Sequence, residues 1–540
     1  MAPIRQWGEV MSAPQKPIRV VALGGGYATI NVLKSLKRHI NTGRVHLTVI
    51  DKNNYHVFHG LVAEMLTGKI QPGNITSPAR MVFRGADFHN AEVLHVDFQN
   101  KRVTTRRYLD GHQHTVEYDH LVIGLGSRDN LSRYTGVAQN TFRLKSYWDV
   151  FELKNHITGI LELAEIETDP VERERLLTFV IAGGNFAGVE VATELDEFLE
   201  YLTKHYYPRL RYEEMRIILL GGDKTILPEL AKRQPRLVRY ASRFIAEKTR
   251  ITVHLETYIT AATPMSATTS TGLEFQARTV ISCTGNAQPE IFDQWSFERD
   301  PVGRLVTDAT LRLVGQEHVW SGGDCAAVPS PQGGYCPGLA LYAVKAGAHI
   351  GRNITRVIDG KPLLPFAFKG LGDACSLGRR NAVGHLYGIG FTGFLAFVTW
   401  RLFMLKYLPV WNRRIRTMSN WLMWPLIGRD ITSIRSNDAM RVRERLYQAG
   451  QTIYQQGEAA SSMYLIRDGN VDVYTDGKHM GTLGPGEYFG ELAIYYATRR
   501  TRTIVAATEL RVLEIERAMA KLLQRHFDGA NSGDSSSSVR

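Results

Sequence analysis

An apolar strand that runs straight into a glycine-rich turn and then into a helix occurs twice in this chain, and few architectures accommodate that pattern. Residues 18–51 read Ile18-Arg-Val-Val-Ala-Leu23, Gly24-Gly25-Gly26-Tyr27-Ala28-Thr29, a helical stretch to about residue 40, and Val45-His-Leu-Thr-Val-Ile-Asp51. Glycines in such a turn let the backbone approach a pyrophosphate at the positive end of the helix, and an acid closing the second strand accepts ribose hydroxyls. The third glycine of the pattern is replaced by Thr29, which predicts looser packing of helix on strand. The second copy is Leu177-Thr-Phe-Val-Ile-Ala182, Gly183-Gly184-Asn185-Phe186-Ala187-Gly188-Val189-Glu190, a helix to about residue 203, and the strand Met215 to Gly221. There Asn185 stands where a glycine should face the pyrophosphate, and Gly221 where an acid should end the strand. The expected fold is α/β with two Rossmann-type dinucleotide-binding domains.

At 540 residues, 44% hydrophobic and 22% charged, the chain has room for three or four domains of about 100–200 residues, which excludes a mini-protein or a mostly disordered chain. Cys283, Cys325, Cys336 and Cys375 form no C-x-x-C pair and no short even framework, so no disulfide scaffold and no zinc or other metal site is expected, and a reducing compartment fits. The N-terminus carries no apolar stretch of signal-peptide length, which predicts retention in the cytoplasm. Basic residues outnumber acidic ones 65 to 53, and the excess is concentrated. No acid lies between Asp373 and Asp430, whereas Arg379, Arg380, Arg401, Lys406, Arg413, Arg414, Arg416 and Arg429 do. Trp400, Trp411, Trp421 and Trp424 share that window with runs such as Phe394-Leu-Ala-Phe-Val-Thr-Trp400. A nucleic-acid surface would interleave its cations with polar and base-stacking groups, so no nucleic acid is expected and a membrane surface is.

Two later glycine segments assign the dinucleotides. Leu121-Val-Ile-Gly-Leu-Gly126-Ser127 and Val319-Trp-Ser-Gly-Gly-Asp324-Cys325-Ala326 together resemble the short motifs of flavoprotein pyridine-nucleotide reductases. The resemblance implies FAD in the first unit, at Gly24, Gly26, Tyr27, Ala28, Asp51, Gly126 and Asp324, the last on the ribityl chain. It implies a nicotinamide nucleotide in the second, at Gly183, Gly184 and Gly188. Asn54-Tyr-His-Val-Phe58, Thr67-Gly68, Leu177 to Glu190, and Leu371 to Ala374 with Gly378 to Val383 narrow the likeness to type II NADH dehydrogenases, the single-subunit NADH:quinone oxidoreductases, over roughly residues 18–430. Disulfide reductases and sulfide:quinone oxidoreductases need a cysteine pair beside the flavin, and none is evident.

Membership implies hydride transfer from the nicotinamide to the flavin and then two electrons to a quinone, without proton pumping. It also implies a catalytic role for Glu190 near the nicotinamide, although the residue reads as well as a first-turn helix acid favoured by the dipole. The family's two quinone-side glutamines align with Leu341 and Lys345, on a helix opening at Ala340. Leucine cannot hydrogen-bond a quinone carbonyl, and Lys345 could stabilise a reduced quinone or simply be solvated or paired with an acid. The missing acid at Gly221, beside Lys224, Arg233 and Arg236, leaves NADPH permissible while NADH stays first on resemblance. Those three cations also read as a solvated helix face.

Phe391 to Trp411 is long enough to span a bilayer, but Arg401 and Lys406 inside it would cost roughly 5–7 kcal/mol. Trp411, Ile415, Met418 and Leu422 then recur at helical spacing, with Asn412, Arg413, Arg416, Ser419 and Asn420 elsewhere. That is the pattern of a helix lying in the interface, tryptophans at headgroup depth and cations on anionic lipid. The same stripe fits packing on the protein or on a second subunit, and a homodimer is expected. A peripheral protein on the cytoplasmic face of the cell membrane follows.

After Asp438 the segments Gly450 to Gly457, Met463 to Gly469 and Leu483-Gly-Pro-Gly-Glu-Tyr-Phe-Gly490-Glu491-Leu492-Ala493 resemble a cyclic-nucleotide-binding domain, a β-roll over about residues 436–527. The likeness implies cAMP or cGMP as effector. Glu491 would hold the ribose hydroxyl, the amides after Gly490, at Leu492 and Ala493, would face the cyclic phosphate, and Arg500 beside Thr501 would neutralise it. Arg499 replaces the usual proline and Arg502 a small residue, so the pocket is more basic and more crowded than the pattern, and a roll used only for contacts is the other reading. The expected division is 1–16 disordered tail, 17–140 and 287–375 FAD-binding, 141–286 NAD(P)H-binding, 376–432 membrane-binding, 433–528 cyclic-nucleotide-binding-like, and 529–540 disordered tail. The departures at Asn185, Gly221, Leu341 and Lys345 keep two other functions open: a catalytically degenerate flavin-containing redox or cyclic-nucleotide sensor, and an NAD(P)H oxidoreductase with a non-quinone acceptor.

Overall fold

The computed structural model describes residues 16–520 apart from 108–109, 130, 132–133, 285–286, 433–441, 459, 497 and 517–519. The tails expected at 1–16, except Lys16, and at 529–540 lie outside the described residues, as does the junction at 433.

Strand Ile18–Leu23 runs parallel to Val45–Asp51 on one side and His120–Ile123 on the other, near the middle of a seven-stranded sheet. Burial on both faces explains its unbroken apolar run: Val20, Val21, Ala22 and Leu23 are each at most 1% exposed. Val319–Ser321 adds a further parallel strand beside His120–Ile123, so two segments far apart in the chain complete one sheet. Beyond Val45–Asp51, strand Asp87–Asp97 pairs in parallel and then turns into an antiparallel ribbon with Arg102–Arg107 and Gln113–Glu117. Helices Tyr27–Asn41 and Ala340–Ile358 pack closely against each other. Gly347 permits this, because a Cβ there would lie 2.0 Å from the Ala28 carbonyl oxygen.

The second unit is a four-stranded parallel sheet in the order Ile251–His254, Arg216–Leu220, Thr178–Ala182, Thr279–Ser282, with helix Phe186–His205 following its glycine turn. The segment expected to start the membrane portion at 376 opens instead on a small antiparallel sheet, Ala374–Ser376, Ala382–Leu386 and Ile389–Thr392. Two helices come next, Gly393–Tyr407 and Trp411–Ile427. Pro409 separates them, since proline disfavours a helical residue before it and donates no backbone bond. Phe391 to Trp411 is therefore not one span, and among the described residues no helix is long and apolar enough to cross a membrane.

From Val442 the chain forms two four-stranded antiparallel sheets, around a core that includes Tyr447, Ile466, Val471 and Val512.

Candidate active site

The first glycine turn is tied by side chains. Gly24 adopts φ +91°, and a Cβ there would meet the Gly124 carbonyl oxygen at 2.4 Å. The Asp51 carboxylate accepts the Gly25 N–H at 2.5 Å and the Asn53 N–H at 2.7 Å, and burial raises its pKa. Thr29 is fully buried and its hydroxyl donates to the Gly24 carbonyl at 2.5 Å, so the residue expected to loosen the unit ties the helix to the turn. Across from the turn stand Gly126 and Asp324. The Tyr27 hydroxyl accepts the His59 N–H at 3.2 Å, and burial, with Asp324 adding repulsion, drives its pKa far above the ordinary phenol value. His59 in turn hydrogen-bonds the Lys145 carbonyl through Nε2 at 2.8 Å. The turn at Gly24 lies against Gly124–Leu125, and Ala28 and Tyr27 lie beside Gly323 and Asp324, so Gly24, Gly26, Tyr27, Ala28, Asp51, Gly126 and Asp324 could hold a flavin dinucleotide; His59 joins them without having been signalled by the sequence.

The second turn is tied by close backbone approach. Gly183 has φ +125°, with Cys283 O 2.9 Å from where its Cβ would be, and a Cβ on Gly188 would lie 1.8 Å from Gly183 O. Gly184 faces Gly221, 3.2 Å from Cβ position to Cα. Asn185 sits in extended backbone (φ −83°, ψ −175°) as the helix N-cap: its Oδ1 accepts the Gly188 N–H at 3.0 Å and its Nδ2 donates to Cys283 O at 2.7 Å. The expected defect is a cap, of the residue type that caps best. Of the three cations near Gly221, Lys224 and Arg236 are exposed, but Arg233 is not merely solvated. It bonds the Tyr342 side chain and lies 3.6 Å from Asp373.

Glu190 lies beyond the first turn of helix Phe186–His205, which carries no first-turn acid, so the dipole reading falls away. The Ser376 N–H donates to its Oε1 at 3.0 Å. Burial pushes its pKa up to about 8, with repulsion from Glu194 and Glu64 adding and the Ser376 bond opposing.

Around it lies a charge network that sequence reasoning missed. Lys69 Nζ is 2.7 Å from Glu194 and 2.8 Å from Glu197, and Arg429 reaches Glu197 at 2.7 Å. Glu64, 1% exposed, takes Arg401 at 2.8 Å on one oxygen and Trp421 Nε1 at 2.5 Å on the other. Arg379 pairs with Asp196 at 2.9 Å. The signal was present: Glu190, Glu194 and Glu197 share one face of a helix that also carries Asp196 and Glu200. An acid-free basic window also needs acids from elsewhere. Three of its eight cations, Arg379, Arg401 and Arg429, pair with acids of the two dinucleotide units, so the basic window expected at a membrane surface is partly taken up inside the protein. Trp400 and Trp421 are likewise core residues, 2% and 8% exposed, because the Glu64–Arg401 pair draws that face inward, while Trp411 is 69% exposed. Phe394, Leu395, Leu402, Ile415, Met418 and Leu422 are exposed beside it.

At the quinone-side positions Ala340 is exposed, Leu341 half-buried, and Lys345 holds its Nζ 5.6 Å from the centre of the Phe368 ring, with no acid partner among the described residues. A cavity of about 110 Å³ lies beside them, lined by Tyr27, Asn31, Lys34, His56, Val344 and Lys406 among others. In the β-roll, Gly490 has φ +80° and precedes the short helix Glu491–Tyr495; Leu492 and Thr501 are exposed and Ala493 is buried. Arg500 is only 4% exposed. Its guanidinium donates to Gly490 O at 2.9 Å and Ser462 O at 2.7 Å and lies 4.0 Å over the Tyr454 ring, so its charge is already engaged.

Residues 18–347 match the family described as pyridine nucleotide-disulphide oxidoreductase, and residues 444–526 match the cyclic nucleotide-binding domain. A probable NADH dehydrogenase of Dictyostelium discoideum is 28% identical over 77% of this chain and 91% of its own length. A type II NADH:quinone oxidoreductase of Mycobacterium tuberculosis is 27% identical over 84% of this chain and 98% of its own. The structure of NDH2 from Plasmodium falciparum in complex with NADH superimposes with a TM-score of 0.70 at 16% identity, covering 77% of this chain and all of that one, and so shares the fold. With more than half of its length matched, the chain belongs to the pyridine nucleotide-disulphide oxidoreductase family and carries a C-terminal cyclic nucleotide-binding domain.

Proposed function

We propose that this protein is a peripheral membrane flavoenzyme that oxidises NADH and passes two electrons to a quinone. The observation that carries the reading is the placement of Glu190: a half-buried carboxyl with its pKa pushed upward, its Oε1 accepting the Ser376 N–H at 3.0 Å, on the helix that leaves the second glycine turn and beside a charge network that reaches the two apolar helices. The relatives named as NADH dehydrogenase and NADH:quinone oxidoreductase, matched over most of their lengths, support it.

The residues around the first glycine turn suit FAD. Amides at the start of helix Tyr27–Asn41 would receive the pyrophosphate, Asp51 the adenosine ribose, and Asp324 the ribityl chain. A bound flavin supplies a two-electron carrier between nicotinamide and quinone. The chain's own residues then do the remaining work. Gly183, Gly184 and Gly188 leave room for the nicotinamide nucleotide, and Glu190 holds a proton next to that site. Lys345 places a positive charge near the acceptor, whereas Leu341 offers no hydrogen bond. Gly221 leaves the adenosine ribose of NAD(P)H without a carboxylate, so NADPH is a second donor. The exposed face of helices Gly393–Tyr407 and Trp411–Ile427 supports attachment to anionic lipid at the cytoplasmic face. A homodimer is the competing occupant of that face, and sedimentation with and without anionic vesicles separates the two.

The test is anaerobic mixing of the FAD-loaded protein with NADH, and separately with NADPH, followed by a short-chain quinone. Bleaching of the visible flavin band by NADH, then its recovery on quinone addition, is the expected course. Bleaching without recovery would favour a non-quinone acceptor. A flavin that dithionite reduces but neither nucleotide does would make the protein a sensor.

A further inference from the structure

The β-roll is fastened to the nicotinamide-side unit. Its first strand, Val442–Tyr447, lies against the short helix Val137–Asn140, and Arg443 pairs with Glu152 at 2.6 Å. Arg445 divides its guanidinium between the two bodies. Nη1 donates to Gln139 O and Asn140 Oδ1, each at 3.1 Å, and Nε donates to Glu514 Oε2 at 2.8 Å. Asn140 is itself buried, its amide donating to Ala262 O at 2.9 Å.

From Glu514 the contacts run into the roll. Ser462 Oγ donates to Glu514 Oε1 at 2.8 Å, Ser462 O accepts Arg500 Nη2 at 2.7 Å, and Arg500 Nη1 reaches Gly490 O at 2.9 Å. The Arg500 Nε is buried with no partner among the described residues. In the other direction the path from Asn140 is short. Two residues on, Phe142 donates its N–H to Val280 O and accepts the Ser282 N–H, each at 2.8 Å. The next carbonyl, Cys283 O, is the one held by Asn185 Nδ2 at 2.7 Å and pressed against Gly183. One line of hydrogen bonds and adjoining backbone therefore joins the arginine of the roll to the glycine turn of the second unit. With side-chain exposures of 16% at Arg445 and 17% at Glu514, its members cannot exchange partners freely with water.

We propose that the β-roll sets the nucleotide affinity of the second glycine turn: a cyclic phosphate draws Arg500 from the carbonyls of Ser462 and Gly490, and the change passes through Glu514 and Arg445 to Gln139–Phe142 and on to the Cys283–Asn185 clamp. This rests on the reading above that a nicotinamide nucleotide occupies Gly183–Gly188. Among the described residues the hydrogen bonds of this line run between the roll and the second unit, so the effect falls first on NAD(H) affinity. Linkage requires reciprocity, with NAD⁺ changing cyclic-nucleotide affinity by the same factor.

Calorimetric titration of the full-length, FAD-loaded protein tests this, with cAMP and cGMP each titrated with and without saturating NAD⁺, and NAD⁺ titrated with and without the cyclic nucleotide. At least one cyclic nucleotide should bind and change NAD⁺ affinity by about fivefold or more, the lower end of usual coupling. Arg445→Ala should keep cyclic-nucleotide binding and basal NADH oxidation but bring that factor close to one. Asn140→Ala cuts the same link from the other side and replaces it should Arg445→Ala not fold. Absence of binding by both cyclic nucleotides, binding without a shift in NAD⁺ affinity, or full coupling in both variants each overturns the proposal. These are equilibrium readings, so they stand apart from flavin bleaching, which alone decides the activity.

Discussion

The two glycine turns have nearly the same backbone and each presses its first glycine on a neighbouring carbonyl, Gly24 on Gly124 and Gly183 on Cys283, but they differ in what else holds them. Gly26 and Asn185 cap their helices at φ −81°, ψ −172° and φ −83°, ψ −175°, an extended conformation open to any residue. The first turn is secured by side chains, Asp51 on the Gly25 amide and Thr29 on the Gly24 carbonyl. In the second the Gly188 Cα presses on Gly183, Gly184 lies against Gly221, and among the described residues Asn185 is the side chain that hydrogen-bonds the turn. A missing glycine or a missing acid therefore means different things in the two places, according to whether backbone or side chain fills the gap.

The contrast breaks most sharply at Gly188. Gly188→Ala places a methyl 1.8 Å from a backbone oxygen and should cost about 3 kcal/mol or more in thermal unfolding, with loss of NAD⁺ binding. Its counterpart Thr29→Gly should cost about 1–2 kcal/mol, from one buried hydrogen bond and added chain freedom; equal costs would end the distinction. Next comes Asp51→Ala, which removes two backbone anchors and should weaken FAD retention on gel filtration by about ten- to a hundredfold.

Glu190 has as its counterpart in the first unit Asn31, whose amide only bonds the Tyr27 carbonyl. Its pKa rises from 4.5 to about 8 on folding, so the native state binds the proton more tightly and loses stability as pH climbs between those values. Glu190→Gln should abolish that slope and leave the variant relatively more stable above pH 8, as melting temperatures across the range will show.

Gly221→Asp probes the missing acid. A Cβ there makes only ordinary contacts, 3.4 Å to Leu255 and 3.7 Å to Gly184, so the variant should fold and lower NADPH affinity relative to NADH about tenfold. Asn185→Gly, the smallest change, keeps the backbone and should cost about 1 kcal/mol through the lost Cys283 contact.

Both turns with their helices and strands were legible because each depends on neighbours a few residues away, and the β-roll through its likeness to a known domain. Glu190 was legible through likeness to a family, and its environment was not. The ion pair that seats the apolar helices joins Glu64 to Arg401, 337 positions apart, and no local pattern announces it. Arg500 was identified by motif, but its partners are carbonyls at 462 and 490, which carry no residue signature. Asn185 looked like a lesion because a pattern written in glycines records where glycine is tolerated as well as where it is required.

By itself, then, the sequence determined the α/β class, the placement of two strand–glycine-turn–helix units and the apolar stripe of helix Trp411–Ile427, because strand and helix periodicity and glycine geometry are short-range properties. Tertiary structure alone decided which of the eight cations in the basic window face solvent, that Glu190 meets the Ser376 amide, and that Arg445 fastens the β-roll to the short helix Val137–Asn140. The reason is that the energy of a charge or a polar atom is set by what surrounds it after the chain has folded, and those surroundings come from segments hundreds of residues away.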